Sequence, residues 1–201
     1  MRSDATRRHF LMSGLAAGAA LTVAPPARAL TTPEATALID QVVADINAVI
    51  NSGRSEARML QEFERIFVRY SDVPIIARSA LGVAARSASP AQLSAFTTAF
   101  RGYISRKYGR RFREFIGGSL KVEQARPYKN FHEVKTTAYL RGEAPIEVIF
   151  LVSDRSGRDL FFNVFIEGVN MLASERTEIG AMLDQRQGDL DRLIADLQRA
   201  G

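Results

Sequence analysis

The spacing of apolar residues changes once along this chain, at Gly117-Gly118, and that change constrains the fold more than any other feature. Before the two glycines, apolar residues recur every three or four positions, which is typical of helices packed by one face. After them the recurrence is every second residue, which is typical of strands. Helices followed by a sheet predict an α+β domain.

Four helical segments precede the glycines. Their apolar stripes run over Leu38 to Val49, Met59 to Tyr70, Ile75 to Leu81, and Leu93 to Phe115. The last stripe follows Ser89-Pro90, a pair typical of helix starts. We therefore expect the fourth helix to continue past Phe112 and Phe115 to the glycine pair.

The second half predicts four strands and a terminal helical region. The strands are Leu120–Gln124, Val134–Arg141, Ile146–Ser153 and Asp159–Glu167. Short gaps join the last three as an antiparallel meander, and two of them are apolar on both faces, so both faces should be covered. A helical region from Ser174 to Ala200, interrupted near Gly188, completes a curved sheet with helices packed on it.

Residues 1–29 have the pattern of an export signal that is cleaved after Ala29. A basic start precedes an apolar run from Leu11 to Ala24, which at about 14 residues is shorter than the roughly 20 that span a bilayer. Arg7-Arg8 followed by Phe10-Leu11 favours the twin-arginine route over the general one, and either route leads out of the cytoplasm. Residues 30–201 are expected to form a single domain.

Removing this segment also removes most of the net charge. It carries four arginines and one aspartate, so the charge of +5 falls to +2. The basic and aromatic stretch Arg106 to Phe115 is then better explained as the flank of an apolar helix than as a nucleic-acid site. We expect no nucleic-acid partner. Because the chain has no cysteine, core packing alone must stabilise the domain.

Few residues are suited to catalysis. Beyond residue 29, His132 is the only histidine; it stands in a loop-like stretch and is expected at the surface or at a strand edge. Without cysteine no thiolate site can form, and with a single histidine no multi-histidine metal site can form. Asp184, Asp189 and Asp191 lack the spacing of a calcium loop. No metal, cofactor or catalytic residue is expected. A paired-carboxylate enzyme of the isomerase kind remains an alternative for a cone-shaped domain.

Three stretches resemble a known family in the right order. They are FERIFVRYSDVPIIARSALG, SPAQLSAFTTAFRGYISRKYG and NVFIEGVNMLASERTEIG. Together with the strands between them, these stretches are similar to the MlaC-type periplasmic phospholipid-binding proteins, also called toluene-tolerance or auxiliary ABC-transport proteins. The chain differs at some positions: members commonly have an Asp at Asn163 and an Asn-Tyr pair at Ser174-Glu175.

The resemblance implies a cone-like fold of the nuclear-transport-factor kind, with an apolar pocket between sheet and helices. It implies a periplasmic carrier that binds phospholipid by its acyl chains. In that family, lipid passes between an outer-membrane lipoprotein-porin complex and an inner-membrane ABC transporter with an MCE-type subunit, which maintains outer-membrane lipid asymmetry. A carrier of another apolar molecule, such as a hopanoid or an aromatic solvent, is the alternative.

Residues from the fourth helix and two strands are candidates to line the pocket, since the chain has more large apolar residues than its size requires. The predicted lining is Phe96, Phe100, Ile104, Tyr108, Val148, Phe150, Phe162, Val164 and Ile166. The sequence leaves open which face of each strand is turned to the ligand.

Arg111 is the one charged residue on the wrong side of the fourth helix. In a helical projection, Arg106, Arg110 and Arg113 lie opposite the apolar stripe, whereas Arg111 projects into it. A charge without a partner is unfavourable there. Arg111 is expected to reach solvent, to pair with a protein carboxylate, or to contact a lipid phosphate.

Overall fold

The computed structural model describes residues 29–110 and 114–200. Residues 1–28, which carry the predicted export signal, lie outside these ranges. The elements are α1 Thr32–Ile50, α2 Glu56–Tyr70, α3 Val73–Leu81, a 3₁₀ helix Gly82–Arg86, α4 Pro90–Gly109, β1 Ser119–Tyr128, β2 Phe131–Tyr139, β3 Ile146–Ser153, β4 Leu160–Ile166, β5 Val169–Asn170, α5 Met171–Asp184 and α6 Leu190–Leu197. No described helix is long and apolar enough to cross a membrane. The predicted α+β architecture is confirmed.

The two longest helices begin at reciprocal caps. The Thr31 hydroxyl accepts from the Glu34 amide, and the Glu34 carboxylate accepts from the Thr31 amide at 2.9 Å. Ser89 and Gln92 make the same pair of bonds at the start of α4, both at 3.1 Å. Each arrangement satisfies two backbone amides that a helix start would otherwise leave unbonded.

The end of α4 differs from the prediction. The helix ends at Gly109 and does not reach Phe115. A Cβ atom on Gly109 would lie 2.1 Å from Cδ2 of Leu60, so the glycine allows α4 to approach α2 closely. Residues 114–117 form a turn in which the Gly118 amide donates to the Phe115 carbonyl. The apolar spacing continued through this turn, and periodicity alone therefore did not reveal where the helix stops.

The strands form one antiparallel meander in the order β1-β2-β3-β4-β5. β1 and β2 are longer than predicted, because Tyr128 pairs with Phe131 across a tight turn at Lys129, whose φ is 54°. Such turns usually contain glycine, and this one has none. His132 consequently is the second residue of β2, where it pairs with Val152, and the loop-like stretch around it is part of the hairpin.

β1 is the outer strand, and β2 is its only strand neighbour in the described sheet. The register of β1 against β2 shifts between Val122 and Gln124, as at a β-bulge. Pro127 lies near the end of β1. A bulge twists the strand, and proline lacks the amide that an added strand would need.

One face of the sheet packs against α1 and α2. We call this the sheet cluster; its largest fully buried side chains are Ile39, Val42, Ile50, Val134 and Val152. They come from the helical stripe of α1 and from alternate positions of β2 and β3, as the two periodicities predict. At each of these positions the exposed fraction is at most 1 %.

The remaining helices enclose a second core. We call it the helical cluster; its largest fully buried side chains are Phe96, Phe100, Ile179, Leu193 and Leu197. Phe96 and Phe100 stack with ring centroids 5.6 Å apart. The predicted C-terminal helical region is confirmed as α5 and α6, separated by residues 185–189.

The two clusters are joined where α2 turns into α3. The Asp72 amide donates to the Phe161 carbonyl at 2.8 Å, and Ser71 forms a parallel bridge with the same residue of β4. Phe67 packs against both clusters, with its ring centroid 6.4 Å from that of Phe161. The Asp72 side chain also caps α3 by accepting from the Ile75 amide at 3.2 Å.

We expect Asp72→Ala to lower the free energy of unfolding by about 1–2 kcal/mol, because it removes a buried helix cap. Ser55→Ala is the matched control, since Ser55 is the N-cap residue of α2 but makes no side-chain capping bond. Chemical denaturation of both variants measures the difference. Equal losses in the two variants would contradict the role of the Asp72 cap.

Candidate functional site

The predicted pocket residues of α4 lie in the helical cluster. Phe96 and Phe100 are fully buried, and Ile104 is buried beside them. Tyr108, near the end of the helix, is half-buried and packs against the same cluster.

Four of the predicted strand residues share one face of the sheet. Val148 pairs with Ile166 and Phe150 pairs with Val164, so all four side chains are directed to the same side. Val148 and Phe150 belong to the sheet cluster, and the other two pack against it. The pairing shows that these four residues share a face, and that this face is turned to a ligand stays a prediction.

Phe162 is separated from these four. The register shifts between Leu151 and Val152, so that Val152 pairs with Phe161 and Phe162 falls outside the simple alternation. The Phe162 ring is nearly perpendicular to that of Phe131, with the ring centroids 5.4 Å apart, and it packs against the helical cluster. Leu160, Phe161 and Phe162 are all large and apolar, so the alternation of apolar and polar residues could not show that a bulge lies among them.

The predicted lining therefore divides between two cores. On the helical side, α2 and α4 approach each other closely at Leu60 and Gly109. Two open clefts lie on the described surface: one of about 390 Å³ beside Tyr103 and Lys107, and one of about 370 Å³ beside Asp72 and Arg101. In this conformation the predicted lining residues are mostly covered by one another and by the surrounding helices.

A polar network links the last turns of α4 to α5. Lys107 Nζ lies 2.7 Å from Glu175 Oε1 and 2.5 Å from Glu178 Oε2. Tyr103 donates its hydroxyl to Glu178 Oε1 at 2.5 Å, and Tyr108 donates to Glu175 Oε1. We call these five residues the α4–α5 network.

Burial and hydrogen bonding within the network shift the pKa of Tyr103, Tyr108, Lys107 and Glu178. Burial is the main cause that raises the pKa of the Tyr103 and Tyr108 hydroxyls, and bonds to the glutamates raise both further; that of Tyr103 reaches about 12. Burial alone would lower the pKa of Lys107, but its bonds to Glu175 and Glu178 raise it above the usual value. Burial would likewise raise the pKa of Glu178, yet bonds from Lys107 and Tyr103 lower it.

Glu175 was not among the residues predicted for the site. It lies one helical turn before Ile179 on the buried side of α5, and 4 % of it is exposed. Its Oε1 atom accepts two bonds, whereas its Oε2 atom is buried without a hydrogen-bond partner in the described structure. The sequence signal that could have revealed it is a carboxylate within an apolar stripe at helical spacing.

Two other predictions concern residues outside this geometry. Arg111 lies outside the described residues, and its contact with a lipid phosphate stays a prediction. No group of histidine, cysteine and acidic side chains suited to a metal ion is found among the residues that the structure describes.

The pH dependence of stability provides a test of the α4–α5 network. Because the pKa of Tyr103 is raised to about 12, its hydroxyl stabilises the fold fully below about pH 10, where tyrosine is neutral in both states. That contribution should disappear as pH rises from about 10 to 12. The difference in unfolding free energy between wild type and Tyr103→Phe should therefore be constant below this window and fall within it. A difference that stays constant to pH 12 would contradict the assignment.

Comparison with known proteins agrees with the fold. A phospholipid-binding protein from Ralstonia solanacearum, solved in complex with a phospholipid, superposes with a TM-score of 0.68 at 19 % sequence identity, covering 81 % of this chain and 98 % of that one. The family model described as MlaC protein matches residues 37–199. Since this match spans most of the chain, the protein belongs to the MlaC family.

Proposed function

We propose that this protein carries phospholipid through the periplasm, with the acyl chains held between the sheet cluster and the helical cluster. The observation that carries the proposal is the similarity of its fold to that of a protein solved with a bound phospholipid. Membership of the MlaC family supports it, and a member of this family is not an enzyme. The isomerase alternative is therefore set aside.

The energetics of lipid transfer explain why a carrier is needed. A two-chain lipid exposes on the order of 30 methylene groups in water, each unfavourable by roughly 0.8 kcal/mol. Transfer through water without a protein is therefore prohibitively slow. A protein that surrounds the chains with apolar side chains removes this barrier without any covalent chemistry.

The arrangement of the clusters suggests how chains would enter. The predicted lining residues lie on both sides of the boundary between the clusters, which α2 and α4 border from opposite sides. Separation of α2 from α4 would expose both sets to one ligand. At this boundary Leu60 packs against Gly109, and a partly exposed ion pair joins Arg101 of α4 to Glu64 of α2 at 3.0 Å. Exposed ion pairs contribute little to stability, so these contacts are weak enough to open and close reversibly.

The proposed partners are those of the family. Lipid would be exchanged with an outer-membrane lipoprotein-porin complex and with an inner-membrane ABC transporter that carries an MCE-type subunit. Both exchanges require that the ligand leave intact, which non-covalent binding allows. The export signal predicted in residues 1–29 supports a periplasmic location.

Lipid extraction provides the first test. Protein purified without detergent is expected to contain phospholipid that mass spectrometry identifies, and the emptied protein should take up phospholipid from vesicles. A hopanoid or an aromatic compound in place of phospholipid would select the alternative ligand class. Absence of any lipid, together with no uptake from vesicles, would refute the proposal.

A reversible crosslink tests the proposed opening. Leu60→Cys with Gly109→Cys places two thiols at the α2–α4 contact of a chain that has no other cysteine. The reduced double variant should load lipid, whereas the oxidised form should load at least about tenfold more slowly, because the helices cannot separate.

Each single-cysteine variant under the same oxidant is the control and should load as its reduced form does. Unchanged loading in the oxidised double variant, after mass spectrometry has verified the disulfide, would place the opening elsewhere.

A further inference from the structure

Leu30 is the first residue after the predicted export signal, and the fold binds its backbone nitrogen. The Leu30 amide donates to Asp154 Oδ2 at 2.9 Å, a bond between residues 124 positions apart in the chain. The Leu30 side chain packs against the sheet cluster, and α1 begins at Thr32. Ala29, on the other side of the peptide bond, is exposed. The contact between the start of α1 and the sheet therefore includes the residue that cleavage after Ala29 would make the new N-terminus.

Asp154 can bind a stronger donor than an amide. It lies in the turn between β3 and β4 and is partly exposed. Within the described ranges, its carboxylate accepts the bond from Leu30 and makes no ion pair. A carboxylate binds a positively charged donor more strongly, because Coulomb attraction is added to the hydrogen bond.

Cleavage after Ala29 would convert the Leu30 nitrogen into such a donor. Hydrolysis of the peptide bond by a signal peptidase consumes one water: Ala29 leaves with a carboxylate, and Leu30 keeps its nitrogen as an α-amino group. The pKa of an α-amino group is ordinarily about 7.7–8.0, so most of it is protonated at neutral pH. The nitrogen that becomes charged is the atom already bonded to Asp154.

Two independent observations select the same peptide bond. Ala27 and Ala29 form the A-x-A pattern that a signal peptidase reads, which is a property of the sequence alone. The bond to Asp154 is a property of the fold. Cleavage one residue earlier or later would displace the charge by about 3.8 Å along the chain and leave Asp154 without it.

A new positive charge at this place requires compensation. The positive end of the α1 macrodipole lies at the start of the helix, so an ammonium group there is unfavourable on its own. The nearby Glu34 carboxylate already accepts from the Thr31 amide and hydroxyl in the capping box. Asp154 is the carboxylate that lies against the Leu30 nitrogen.

We infer that Asp154 is the binding site for the N-terminus that signal cleavage creates, through a salt bridge between its carboxylate and the α-ammonium group of Leu30. Processing thereby strengthens the attachment of α1 to the sheet, on the face that includes Val148 and Phe150. The inference rests on the predicted cleavage after Ala29 and is independent of the lipid that the protein carries. The precursor and the mature protein differ in stability at one defined contact.

The test compares four proteins, which begin at Leu30 or at Ala29 and carry either Asp154 or Asp154→Asn. Each is released from a fusion by a protease that leaves no extra residue. The Ala29 start is the matched control, because it keeps the Leu30 amide and places the charge on an exposed residue. Asparagine keeps an oxygen acceptor for the amide and removes the negative charge.

Chemical denaturation at pH 6.5, where the α-amino group is charged, gives the equilibrium constant of unfolding. With Asp154, the Leu30 start should lower this constant about fivefold relative to the Ala29 start. This is the upper end of the range for exposed ion pairs, since the pair is partly buried. With Asp154→Asn, the Leu30 start should give no advantage, and the helix dipole should make it slightly less stable.

Amide hydrogen exchange provides a local measurement that needs no variant. The Ala35 amide donates to the Thr31 carbonyl at 3.0 Å in the first turn of α1. Its exchange, followed by NMR, should be slower in the protein that begins at Leu30 than in the one that begins at Ala29. Amides of α6, far from this contact in the chain, should exchange equally in both.

The outcomes are distinct from those of the lipid experiments. Intact mass of the protein recovered after export should show Leu30 as its first residue, and any other terminus would overturn the inference. Equal stability and equal Ala35 exchange of the two starts would also overturn it. An advantage of the Leu30 start that persists in Asp154→Asn would exclude Asp154 as the partner. The proposed carrier function is unaffected by each of these results.

Discussion

The joint between Asp72 and Phe161 is the interaction on which the arrangement of this protein depends. Two cores that share few residues are held in register because the turn from α2 to α3 bonds directly to β4. Backbone hydrogen bonds have strict distance and direction requirements, so this contact fixes relative position, whereas apolar packing tolerates sliding. The aspartate that caps α3 stands at the same place, and one short segment thereby fixes both the start of a helix and its relation to the sheet.

A lipid carrier needs some contacts that stay fixed and others that can open. The joint at β4 is made of directional backbone bonds, whereas the α2–α4 contact includes the packing of Gly109 against Leu60 and the partly exposed ion pair of Arg101 with Glu64. If the clusters separate to admit acyl chains, the weaker contact is the one to break and the joint can act as the hinge. The α4–α5 network would move with α4 as one body, because its five side chains bond to one another across that helix pair.

The sequence was sufficient for the class of fold and insufficient for the shape of the site. Periodicity depends on which side chains are buried, and it correctly predicted the helices before Gly117-Gly118 and the meander after them. It did not locate the end of α4, because apolar spacing continues through the following turn. Nor did it detect the displacement of Phe162, since a register shift depends on the neighbouring strand. The importance of Glu175 depends on donors that arrive from α4, far away in the chain.

The irregular outer strand has a consequence for how such a protein behaves at high concentration. A sheet with one long open edge can pair with strands of other molecules, which leads to aggregation. The register shift near Val122 and the proline at position 127 make β1 a poor template. This protection of the strand edge comes from the backbone of β1 itself, since the chain has no cysteine with which to form a disulfide.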